Sequence, residues 1–258
     1  MTTTPTWDPA QYLKWSDHRL RPAVDLLQRV ALASPAEVVD LGCGTGNVTA
    51  LLRTRWPGAH VTGVDASPSM LKRARASDRG VDWHQADVAT WAPPAPVDVL
   101  FSNATLHWID DHATLFPRLL TLVAAGGVLA IQMPRNFGEP SHTSIYEVAR
   151  ETRWRERLEK LIRPEPTKPP EYYWDLLRPR VSALDVWETV YTQALAGEHP
   201  VADFVKGSWL KPFLDALAVD ERRAFENAYR ERVARAYRPR EDGTTLFPFR
   251  RLFIVARC

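Results

Sequence analysis

The segment that most restricts what this chain can fold into is Glu37-Val-Val-Asp-Leu41, followed at once by Gly42-Cys-Gly-Thr-Gly46. A short β-branched run suits a buried strand, and three glycines at alternate positions suit a tight turn that carries backbone N–H groups across the strand's carboxyl edge. Residues 47–55 then show helical spacing of apolar side chains. Strand, glycine turn and helix form the unit from which parallel sheets are wound, so an α/β fold is expected.

The same alternation continues over residues 36–134. Strands are expected at 37–41, 60–65, 81–84, 97–102 and 128–133, and helices at 47–55, 69–76 and 113–122, with Gly126-Gly127 read as the stop of the last helix. Beyond Pro134 come a charged amphipathic stretch at 144–162 and a proline-rich loop at 163–170. Further elements are expected at 186–192 (strand), 218–236 (helix) and 251–256 (strand). The expected architecture is a doubly wound, mostly parallel seven-stranded sheet in a single domain, 1–258. Residues 1–30 form an N-terminal helical cap, 36–134 the ligand-binding core, and 135–180 and 193–247 lid insertions.

The glycine turn alone is shared by dinucleotide sites, and a bland reading is tight helix–strand packing. Three acids sharpen it. Asp65 closes the second strand about 20 residues on, where a carboxylate accepts from ribose hydroxyls. Asp87, after the third strand, is placed to accept from an adenine amine, with Val88 and Met70 against the ring and Ala66 beside Asp65. Asp40 discriminates: next to the turn it repels a pyrophosphate and suits a sulfonium or an ammonium, which favours S-adenosylmethionine over NAD. Helix caps or surface charges are the alternative for all three.

Asp40-Leu-Gly-Cys-Gly-Thr-Gly46, Gly63-Val-Asp-Ala-Ser-Pro68 and Gln85-Ala-Asp87 together resemble the fingerprint of class I S-adenosylmethionine-dependent methyltransferases. That resemblance implies a Rossmann-like fold, with the residues nearest the transferred methyl at the end of the fourth strand. Here that strand runs into Phe101-Ser-Asn-Ala-Thr-Leu-His-Trp108, without the Asn-Pro-Pro-Tyr element of amide and base N-methylases. Asn103 is expected at the cofactor, and His107 and Trp108 at the wall of the methyl-transfer pocket.

A longer likeness joins Trp7-Asp-Pro9, Tyr12-Leu13, Arg21-Pro-Ala-Val24, Ser102-Asn-Ala104, Gln132-Met-Pro134, Glu139-Pro140 and Arg251-Leu-Phe-Ile-Val-Ala256. It resembles the trans-aconitate 2-methyltransferase family and departs from it at His107, where glutamine is expected. The resemblance implies O-methylation of a carboxylate in a small polycarboxylate. Such an acceptor is already ionised at neutral pH and needs no general base. Its other carboxylates call for cationic or hydrogen-bonding groups, expected among Arg21, Asn136, His142, Tyr172 or Tyr173, Lys211 and Arg251, although charged residues more often merely face solvent. Tyr12, on a helix preceding the first strand, is expected to close over the cofactor.

Composition narrows the partners. Lys plus Arg, 33, nearly balance Asp plus Glu, 31, and no basic block stands out, so nucleic acid is not expected. No apolar run approaches a membrane span, and no basic, apolar leader opens the chain. Two cysteines form neither a disulfide framework nor a metal knuckle, which fits a reducing cytoplasm. His107-Trp-Ile-Asp-Asp-His112 gathers metal-ligand types, but Asp110 or Asp111 also reads as a helix cap, and no metal is expected. Alternative readings are a malonyl or quinone acceptor, the latter with His107 as base, and a non-catalytic nucleotide-binding module. Oligomeric state is not legible.

Overall fold

A computed structural model describes residues 16–258, with side chains from residue 20 onward. In chain order the elements are α1 (Ser16–Gln28), β1 (Glu37–Leu41), α2 (Asn47–Arg55), β2 (His60–Asp65), α3 (Pro68–Ser77), β3 (Asp82–Gln85), β4 (Val97–Asn103), α4 (His112–Thr121), β5 (Val123–Pro134), α5 (Pro140–Ala149), α6 (Arg155–Leu158), α7 (Pro170–Leu177), β6 (Ala183–Leu195), α8 (Pro200–Lys206), α9 (Lys211–Asp215), α10 (Val219–Ala236) and β7 (Thr245–Arg257). A 3₁₀ turn, Leu106–Trp108, follows β4.

The strands form one seven-stranded sheet in the order β3-β2-β1-β4-β5-β7-β6. β1 runs parallel to β2 and β4, β2 to β3, and β4 to β5, whereas β7 is antiparallel to β5. Winding reverses between β1 and β4, and in open α/β sheets the carboxyl ends flanking such a reversal are where ligands bind. The glycine turn and the His107 turn leave from those two ends.

Gly126-Gly127 does not stop the helix. α4 ends at Thr121, and both glycines lie inside β5, where the register jumps from Val97↔Val123 to Val99↔Val128. Gly126 has φ 79°, and a Cβ on Gly127 would lie 2.8 Å from the Asp98 carbonyl, so these glycines build a bulge rather than a cap.

The chain divides into two compact units. One comprises residues 17–134, 167–189 and 251–258. In it Leu129, Ile131 and Met133 of β5 pack with Leu115, Phe116 and Leu119 of α4 and Tyr173 and Leu177 of α7. Alternate residues of a strand face opposite ways, so Ala130 and Gln132 look to the other side, where the Trp187 ring stacks on Phe253, 4.8 Å away and 8° from parallel. Among the described residues the second unit comprises residue 16, 135–166 and 190–250. Its core is aromatic: Trp154 meets Phe225 edge-on at 5.0 Å, and the buried Tyr229 hydroxyl donates to the Ser141 carbonyl at 2.8 Å. No described helix is long and apolar enough to cross a membrane.

Candidate active site

The glycine turn is bound to β2 before it meets any ligand. Gly42 and Cys43 N–H both donate to the Val64 carbonyl, at 2.7 and 3.0 Å. Gly42 has φ 84°, and a Cβ there would fall 2.2 Å from Thr105 Cγ2, so this position tolerates no side chain. Thr105 Oγ1 in turn donates to the Gly42 carbonyl at 3.1 Å. That clasp between the β1 and β4 turns is invisible in the sequence pattern, because it joins residues 63 positions apart.

Asp65 is the organiser of the neighbouring edge. Its Oδ2 accepts the Gly44 N–H at 2.9 Å and its Oδ1 the Ser67 N–H at 2.8 Å. Each oxygen keeps a further lone pair, and the side chain is half-buried, so the carboxylate still has acceptor capacity for a diol. Ser67 caps α3 through the Met70 N–H, with Pro68 as the first helical residue. Asp87 is exposed, with Oδ1 accepting the Ala89 N–H at 2.8 Å, while Val88 and Met70 are buried and Ala66 is exposed.

Asp40 is 1% exposed, and its Oδ2 accepts from Thr49 Oγ1 at 2.6 Å. Burial pushes its pKa up to about 7, against the lowering effect of the Thr49 hydrogen bond, with the Asp65 charge adding to the rise. A buried carboxyl at that balance ionises readily when a cation arrives beside it. These residues therefore fit an adenosine ligand with a cationic tail: a diol acceptor in Asp65, apolar walls in Met70 and Val88, and a latent anion in Asp40.

At the end of β4, Asn103 Oδ1 is buried without a hydrogen-bond partner among the described residues. Ala104 takes φ 55°, an uncommon conformation for a residue with a side chain. His107, 5% exposed, and Trp108 follow with ring centroids 4.8 Å apart. Asp111, not Asp110, caps α4, its Oδ1 accepting the Thr114 N–H at 3.1 Å. His112 Nε2 faces the Leu106 carbonyl at 3.0 Å, which only accepts, so the proton sits on Nε2 and Nδ1 accepts from the Tyr173 hydroxyl at 2.7 Å. Burial lowers the His112 pKa, in keeping with a neutral ring. Among the described residues no group of three or more His, Cys, Asp or Glu is placed to hold a metal.

The residues expected to hold the acceptor divide between the two units. Arg21 is exposed on α1, and Arg251 is 5% exposed in β7. Tyr173 is fully buried, and its hydroxyl donates to His112 and accepts the Lys168 N–H at 3.1 Å, contacts that brace the Leu106–Trp108 turn. Its neighbour Tyr172 meets it edge-on, with ring centroids 5.2 Å apart. In the other unit, Asn136 is fully buried, accepting the Arg250 N–H and donating to the Pro248 carbonyl. His142 is buried beside Ser141 Oγ, at 3.0 Å, with the Phe137 ring 5.2 Å away; desolvation lowers its pKa to about 3, so it offers a neutral ring and no cation. Lys211 pairs with Asp215 at 2.8 Å. Tyr12 lies outside the described residues.

Comparisons with known proteins agree with this geometry. A family model described as a methyltransferase domain matches residues 38–127. The chain is 51% identical over 252 residues to a trans-aconitate 2-methyltransferase of Azoarcus sp., covering 98% of this chain and 99% of that one. It is 46% identical over 251 residues to a protein of the same name from Rhodopseudomonas palustris, covering 97% and 98%. Among solved structures, an S-adenosylmethionine-dependent methyltransferase from Thiobacillus denitrificans shares the fold, with a TM-score of 0.55, 17% identity and coverage of 97% and 99%.

Proposed function

This chain belongs to the trans-aconitate 2-methyltransferase family and is an S-adenosylmethionine-dependent methyltransferase, and on that premise we propose that its acceptor is one carboxylate of trans-aconitate or of a similar small polycarboxylate. The observation that carries the acceptor reading is the likeness at about half identity along nearly the whole chain to proteins of that name. S-adenosylmethionine supplies an electrophilic methyl on a sulfonium, and the acceptor leaves as a monomethyl ester.

The residues of the chain bind, orient and exclude water. Asp65 and the Gly44 N–H, already bonded to each other, present a fixed edge to the ribose, and Asp87 presents its free carboxylate oxygen to the adenine amine. Asp40 ionises against the cationic end of the cofactor. The turn carrying His107 and Trp108 is held by His112 and Tyr173, so the wall it forms is set before the acid binds. No residue needs to remove a proton, because the acid arrives ionised. Arg251 supplies charge for the carboxylates that do not react, with Arg21 as a second cation. A cytoplasmic location accords with two cysteines that form no disulfide, and a small-molecule partner with the charge balance.

The test is a methyl-transfer assay over cis- and trans-aconitate, citrate and isocitrate. Ester formation on one of them is the expected result, and silence on all four with S-adenosylhomocysteine demonstrably bound overturns the acceptor reading.

A further inference from the structure

Gln132 is the last residue but two of β5 and is 0% exposed, yet neither Oε1 nor Nε2 has a hydrogen-bond partner among the described residues. Buried carboxamides are almost always satisfied, because leaving both ends of one dry wastes the desolvation of a donor and an acceptor. Packing does not call for it: Leu129, Ile131 and Met133 face the apolar cluster, and the flanking Ala130 and Phe253 show that hydrocarbon fits on the Gln132 side.

Its position supplies the reason. In the sheet register Gln132 stands opposite Asn103, whose Oδ1 is buried and equally unpartnered. Its carbonyl accepts the N–H of Ala104, the residue held at φ 55°. One residue further, Thr105 clasps the glycine turn. An unsatisfied carboxamide, a second unpartnered amide oxygen and a strained backbone thus converge at the carboxyl ends of β4 and β5, beside the glycine turn, and such features gather where a protein is shaped for a ligand.

We infer that Gln132 is an acceptor-binding residue, its Nε2 donating to the carboxylate that becomes methylated. This rests on the reading of the acceptor as a carboxylic acid. A neutral donor suits that carboxylate better than a guanidinium, since it fixes the plane of the group without neutralising the charge that makes the oxygen nucleophilic. Cationic side chains are then reserved for the carboxylates that do not react. The other face of the carboxamide, Oε1, excludes a second anion from the reacting position.

Two substitutions of similar length test it. Gln132→Met removes both hydrogen-bonding ends, and Gln132→Glu replaces the donor with a second carboxylate. With the acid preferred by the wild-type enzyme, kcat/KM is expected to fall roughly 10- to 100-fold in Gln132→Met and further in Gln132→Glu, with KM for the acid raised. Calorimetric affinity for S-adenosylhomocysteine is expected to stay within threefold of wild type, and the melting temperature of Gln132→Met not to fall, because it loses two unsatisfied polar atoms. Unchanged kcat/KM in Gln132→Met, or a loss of S-adenosylhomocysteine affinity as large as the loss in kcat/KM, overturns the inference. If either variant does not fold, Gln132→Asn, which keeps the amide but draws it back by one carbon, is held to the same criteria. A wild-type enzyme silent on every acid removes the acceptor reading itself, whereas an active wild type with an unaffected Gln132→Met removes only the role of Gln132.

Discussion

Thr49 Oγ1 donates to Asp40 Oδ2 across 2.6 Å, joining the first turn of α2 to the buried carboxyl that precedes the glycine turn. The bond holds one oxygen of Asp40 still, and burial keeps the group near pKa 7 instead of 3.8. A group whose folded pKa is raised opposes folding increasingly as pH rises from the unfolded value to the folded one. For Asp40 that window runs from about 4 to about 7, and the accumulated penalty reaches about 4 kcal/mol. Asp40→Asn is therefore expected to melt higher than wild type at pH 8 in the absence of cofactor, and to bind S-adenosylmethionine at least tenfold more weakly. Wild-type affinity for the cofactor is expected to climb between pH 6 and 8. Thermal melts and calorimetric titrations over that range check all three, and undiminished binding by Asp40→Asn would remove the anion from the account.

His142 provides the opposite slope. Its pKa of about 3 in the folded chain, against 6.5 for the free side chain, means the unfolded chain takes up a proton that the buried ring refuses. Stability is lost as pH falls from about 6.5 toward 3, by about 2 kcal/mol at pH 5. Because Asp40 regains stability over part of the same range, each slope is read as variant minus wild type. His142→Gln is expected to flatten the acid limb of chemical-denaturation midpoints between pH 7 and 5, and a variant with an unchanged limb refutes the assignment.

Tyr173→Phe separates a brace from a ligand. The variant leaves His112 Nδ1 and the Lys168 N–H without the hydroxyl, at a cost of about 1–3 kcal/mol in stability. KM for the acid is expected to stay within threefold. A much larger rise in KM with little loss of stability would return Tyr173 to the acceptor site.

His107→Gln addresses the chemistry. A carboxylate acceptor requires no base, so the variant is expected to keep kcat within tenfold of wild type on the same acid. Loss of several orders of magnitude, with the fold intact by circular dichroism, would show that proton transfer by His107 matters.

Local pattern made much of the molecule legible. β1, β2 and α2 occur at the residues that periodicity marks, because each is a short buried strand or a helix with an unambiguous end. β6 runs three residues longer at each end than alternation indicates and β7 starts six residues earlier, and Gly126-Gly127 misleads, since a bulge and a helix stop draw on the same freedom at positive φ. Within the site, the acids next to the glycine turn could be read directly, because their chemistry depends on residue type and on distance along one strand–turn–helix unit. Thr49, Thr105 and Gln132 could not. Nothing in their local sequence distinguishes them from ordinary helix, loop and strand residues.

The strand–glycine–helix segment with Asp40, Asp65 and Asp87 determined by itself the α/β class and the kind of cofactor, because steric and charge requirements at a strand end are written into consecutive residues. Only the tertiary structure decided that Asp40 is buried to a pKa near 7, that Tyr173 and His112 lock each other, and that Gln132 lies beside Asn103 with its carboxamide and the Asn103 Oδ1 unpartnered among the described residues. Those properties depend on burial and on partners dozens of residues away, and desolvation and long-range hydrogen bonds come into being only when the sheet has assembled.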